Sequence, residues 1–81
     1  MERFDPESTD LAALVTHLRQ AIGSSLPGSV VGRTEIRDEV ARYLQCSQLE
    51  AERLVDTMVG RGFLVLHREQ DGLEYWTMPS T

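Results

Sequence analysis

Ser47-Gln48-Leu49-Glu50-Ala51-Glu52-Arg53-Leu54-Val55-Asp56-Thr57-Met58-Val59-Gly60-Arg61-Gly62-Phe63-Leu64 carries a helix with its start, its inner face and its stop. Ser47 is a good N-cap, because its hydroxyl can accept from a first-turn amide that has no partner within the helix. Glu50, three residues on, completes a capping box. Ala51, Leu54, Val55 and Met58 recur at helical spacing and form one apolar stripe. Gly60-Arg61-Gly62 ends the helix, with Gly62 suited to the left-handed C-terminal position. The period then changes. Phe63-Leu64-Val65-Leu66-His67 is a β-rich run, Asp71-Gly72 is a strong hairpin signal, and Leu73-Glu74-Tyr75-Trp76-Thr77-Met78 is the returning strand. Pro79-Ser80-Thr81 reads as a short frayed tail.

Working backwards, Gln45-Cys46 makes a tight turn. Thr34 is a suitable N-cap for a preceding helix, with Glu35 in its first turn and Ile36, Val40, Tyr43 and Leu44 at helical spacing. Val30-Val31 suits a short edge pairing. Gly23-Ser24-Ser25-Leu26-Pro27-Gly28 reads as a loop. The first helix starts at Asp5-Pro6-Glu7, where aspartate can cap, proline fits the first position and glutamate complements the positive helix end. Its stripe is Leu11, Leu14, Val15, Leu18 and Ile22.

The order helix, short strand, helix, tight turn, helix, hairpin resembles the winged helix-turn-helix superfamily. The stretch 47–64 looks like its recognition helix running into the wing. The resemblance spans roughly residues 10–78 and implies an α+β fold: a three-helix winged helix-turn-helix with a C-terminal β-hairpin wing. Three short helices and a two-stranded hairpin cannot each bury an apolar face alone, so packing them together is also the physical expectation. The 81 residues are expected to form one domain over 1–81, with its core at about 6–78. Met1 and the short tail favour a complete small protein.

Composition narrows the function. Hydrophobic residues at 41% and charged residues at 26% suit a globular chain rather than a disordered one. No apolar run approaches the roughly 18 residues of a membrane span, and the acidic N-terminus lacks the apolar core of a signal peptide. A single cysteine, Cys46, excludes an internal disulfide framework and suits the cytoplasm. All eight basic residues are arginine, against thirteen acids, for a net charge of −5. That balance opposes non-specific attraction to nucleic acid or anionic membrane.

Two binding readings follow. In DNA-binding winged helices the third helix enters the major groove, which the resemblance carries over to Gln48 and Arg53 as base readers and to Arg33, Arg61 and Arg68 as phosphate contacts. Against this, Glu50, Glu52 and Asp56 lie on that helix, and the wing sets Arg68 against Glu69, Asp71 and Glu74. Plain solvent exposure on a helix is the simpler reading of Gln48 and Arg53. The second reading is association with a protein partner or a second copy, in a regulatory role. Its candidate anchors are Phe63, Tyr75, Trp76 and Met78 on the apolar hairpin, with Leu11 and Leu18 on the first helix. Their alternative is ordinary core packing. Charge favours protein association, and DNA-binding transcription regulation is the alternative.

Chemistry is not expected. His17, His67 and Cys46 are far apart and match no metal spacing. Cys46 stands beside the start of the third helix, which would activate a thiol weakly, but a packed cysteine is the simpler reading. Gly28 and Gly32 lack the lysine and spacing of a phosphate loop. No cofactor and no small-molecule substrate are implied, and the chain is expected to be non-catalytic.

Overall fold

The computed structural model describes residues 9–79. Three helices are followed by a hairpin, and a short strand precedes the second helix. In order these are α1 (Leu11–Ile22), β1 (Ser25–Pro27), α2 (Ser29–Leu44), α3 (Gln48–Gly60), β2 (Val65–Arg68) and β3 (Glu74–Thr77). The strands form one antiparallel sheet in the order β1-β3-β2. This is an α+β fold in a winged-helix-like arrangement.

α3 forms as its sequence dictates. Ser47 Oγ accepts from the Glu50 amide at 3.1 Å, and Glu50 Oε1 accepts from the Ser47 amide at 2.9 Å, closing the capping box. Ala51, Leu54, Val55 and Met58 are all buried. The helix closes through Gly62, at φ +81°, while the Phe63 amide donates to the Met58 carbonyl at 2.9 Å. The left-handed conformation there explains why glycine stands at this position.

Two of the expected boundaries fall elsewhere. The expected first-helix start at Asp5-Pro6-Glu7 lies outside the described residues. The described α1 begins at Leu11, with Asp10 Oδ1 accepting from the Ala13 amide at 3.1 Å. The expected loop 23–28 contains β1. α2 begins at Ser29 rather than beside Thr34, so Val30 and Val31 form its first turn and not an edge strand. The reason is tertiary. Leu26 is buried opposite Trp76 in the sheet, and the Gly28 amide donates to the Glu74 carbonyl at 2.8 Å. The chain then turns sharply through Gly28, at φ +83°, and enters the helix at once.

The sheet register sets Leu26, Trp76 and Leu66 in one row facing the helices. Trp76 is the keystone of that row. Its indole Nε1 donates to the Ser29 carbonyl at 2.8 Å. Its ring lies so close to α2 that a Cβ on Gly32 would come within 2.6 Å of Cδ1. Glycine inside a helix costs about 1 kcal/mol relative to alanine, and here it admits the tryptophan.

The unalternating run 63–66 also has an explanation. Phe63 and Leu64 belong to the exit of α3, where Leu64 is buried, and pairing begins only at Val65. The core is otherwise built from Leu11, Leu14, Val15 and Leu18 of α1, Ile36 and Val40 of α2, and Met78 beyond β3.

Candidate interaction surface

The side chains expected to anchor a partner divide in two. Leu11, Leu18, Trp76 and Met78 are core residues at 6%, 0%, 4% and 2% exposure. The folded chain does not present them, because three short helices and a small sheet need all four to close the interior. Phe63 and Tyr75 are half-buried. Phe63 packs on the core beside an open groove lined also by Ala12, Val15, Thr16, Arg19 and Pro79.

Tyr75 lies on the outer face of the sheet, stacked on His67 with ring centroids 4.8 Å apart. Its hydroxyl donates to Glu69 Oε1 at 2.9 Å, which holds the phenol above its ordinary pKa. His67 Nε2 lies 2.7 Å from Thr77 Oγ1. The outer face of the hairpin is thus partly closed by its own rings.

The arginines expected at phosphates are not brought together as a free basic surface. Arg33 reaches across from α2 to α3, 2.5 Å from Asp56 Oδ1 and 3.4 Å from Glu52 Oε2. Partial burial alone would lower its proton affinity. Hydrogen bonds to Asp56 and Glu52 outweigh that and raise it. Arg68 is paired with Glu74 across the hairpin. Gln48, Arg53 and Arg61 are exposed, at the start, the middle and just beyond the end of α3. Arg53 and Arg61 make no ion pair among the described residues.

The exposed apolar surface lies where the sequence did not direct attention. Val30 is 76% exposed, Val31 70%, Leu49 63% and Leu73 55%. Val30 and Val31 fall outside the stripe of Gly32, Ile36 and Val40 that faces the core. That assignment is legible only once the start of α2 is known.

Two groups of contacts fix the surroundings of this first turn. One turn further along α2, Arg33 bridges to α3 at Glu52 and Asp56. On the other side, the Gly28–Glu74 and Trp76–Ser29 hydrogen bonds hold the turn against β3 near the turn end of the hairpin. Glu35 stands one turn beyond Val31. Arg33 is already paired with Glu52 and Asp56, and Arg68 with Glu74, while Glu69 and Asp71 belong to the hairpin turn that Glu74 adjoins.

A second polar cluster joins α1 to α2. His17 Nε2 lies 2.6 Å from Glu39 Oε2, and its ring stacks on Tyr43 with centroids 3.7 Å apart. Arg42 also pairs with Glu39. Hydrogen bonds, from Arg42 first and His17 second, hold the Glu39 carboxyl below its usual pKa. The cluster ties α1 to α2.

Cys46 is half-buried, and burial, with a smaller contribution from Glu50, pushes its thiol above the ordinary pKa. The helix start nearby therefore does not activate it. Among the described residues no group of three or more His, Cys, Asp or Glu side chains is placed to hold a metal ion, and no helix is long and apolar enough to cross a membrane. The chain matches no protein-family model, no curated protein and no solved structure.

Proposed function

We propose that this chain is a non-catalytic winged-helix module that acts by associating with protein, in a regulatory role in the cytoplasm. The observation that carries this reading is the first turn of α2. Val30 and Val31 stand 76% and 70% exposed there, and the arginine that follows them on the helix, Arg33, is already held by Glu52 and Asp56. In the winged-helix analogy this turn and the wing face the phosphate backbone. Duplex DNA carries one charge per roughly 1.7 Å of axis, and binding it rests on many cationic contacts. Apolar and acidic side chains at that position suit a protein surface instead.

Gln48 and Arg53, exposed on α3, support DNA recognition as the alternative. Fluorescence anisotropy with mixed-sequence duplex DNA, at low and near-physiological salt, separates the two. The expected result is no binding at either salt. Salt-dependent binding that weakens in Arg53→Ala would instead make the chain a DNA reader.

A further inference from the structure

The location and the charge of the exposed patch together define the chemistry of its partner. Val30 and Val31 lie on the first turn of α2, and Leu73 lies at the end of the hairpin, next to the residue whose carbonyl receives the Gly28 amide. Three aliphatic side chains fall well short of the roughly 800 Å² per partner buried between stable globular pairs. They suit a short segment better than a broad domain face.

A second copy of this chain is a poor occupant. It carries a net charge of −5, and a self-complementary contact at this patch would set Glu35, Asp56 and Asp71 against the same acids of its twin. Like charges brought together at an interface oppose the contact, whereas opposite charges steer and orient it.

We infer that the first turn of α2 and the adjoining hairpin end form a docking site for a basic, amphipathic segment of a partner protein. Aliphatic side chains of that segment cover Val30, Val31 and Leu73, and its Lys or Arg side chains meet Glu35, Asp56 and Asp71. Asp56 is 70% exposed even while it holds Arg33, so its outer side is open to a second cation. Glu35 is exposed and makes no ion pair among the described residues. This inference rests on the protein-binding reading and adds to it the site and the sign of the partner.

The test uses a leucine–lysine amphipathic helical peptide, with its leucine–glutamate counterpart as control, followed by amide chemical-shift mapping of the whole chain. The lysine peptide is expected to bind and the glutamate peptide not to bind. The largest shifts are expected at residues 29–35 and 71–74. Val30→Ser with Val31→Ser should weaken the lysine peptide at least about tenfold, as loss of central apolar anchors does. Glu35→Gln with Asp71→Asn should weaken it by about threefold or more and flatten its salt dependence.

Failure of the lysine peptide to bind, or shifts confined to α1 or the outer sheet face, would overturn the inference. So would equal binding of both peptides. Binding at another face would leave the protein-association reading standing. That reading falls separately, if duplex DNA binds in the manner described above. Circular dichroism of each variant confirms that it remains folded.

Discussion

α2 and α3 are neighbours in the chain and partners in the fold, and each turns an apolar stripe inward, yet their starts are built differently. α3 turns Ala51, Leu54, Val55 and Met58 inward and begins with a side-chain cap. α2 begins on Gly28 without a side-chain cap and presents glycine to the core at position 32. It leaves Val30 and Val31 in solvent. The difference teaches which apolar residues the fold uses and which it leaves in solvent. α3 is built for packing, while the first turn of α2 is held in place by the sheet and leaves its valines outside.

That contrast breaks if core substitutions in α3 prove mild. Leu54→Ala is expected to cost about 2–5 kcal/mol, by lost transfer energy and the cavity left behind. A domain of this size draws only about 3–5 kcal/mol from its core, so the variant should be largely unfolded in a urea titration. Gly32→Ala probes the other helix. Its new Cβ would meet the Trp76 ring at 2.6 Å and the Pro27 carbonyl at 3.3 Å. The overpacking should outweigh the gain in helix propensity and leave a net loss of about 1–2 kcal/mol. The fluorescence of Trp76, the only tryptophan, should shift with it.

Smaller effects sharpen the comparison. Ser47→Ala removes the α3 cap and should lower stability by about 1 kcal/mol, read as a shift in urea midpoint at unchanged slope. Glu39 gives a pH signature. Its folded pKa lies below the ordinary 4.5, so its contribution is present above that value and is lost as pH falls through the folded pKa. Glu39→Gln should therefore lose less stability than the parent chain between neutral pH and the acid range. Least of all, Val30→Ser with Val31→Ser should change stability by within about 0.5 kcal/mol for each substitution, because both side chains are exposed.

Much of the architecture was legible because several local signals agreed. The capping box at Ser47, the inward stripe and the glycine stop all specify α3, and Asp71-Gly72 marks the hairpin, where Gly72 takes φ +89°. β1 was not legible, because three residues inside a Gly-Ser-Ser-Leu-Pro-Gly stretch look like loop until Trp76 is placed opposite Leu26. The start of α2 was misread for a related reason. Paired β-branched valines favour a strand, and only the sheet contacts of Gly28 and Ser29 turn them into a helix.

The candidate surface was the least legible part. Residue type reports which side chains tend to be buried, so Trp76 and Met78 stood out as anchors and proved to be core. Val30 and Val31 looked ordinary, and their exposure follows from where the helix begins. The salt bridges of Arg33 and Arg68 were equally hidden, since each joins residues on different elements.

The most direct test of the account is a pair of titrations. The full chain is titrated separately with the leucine–lysine peptide and with mixed-sequence duplex DNA. The readout in both is chemical-shift perturbation at the Val30 and Val31 amides. The account predicts that DNA alone leaves these amides unmoved, that the peptide moves them, and that Val30→Ser with Val31→Ser abolishes the response. DNA shifting the α3 amides around Arg53, with the α2 amides silent to peptide, would contradict it.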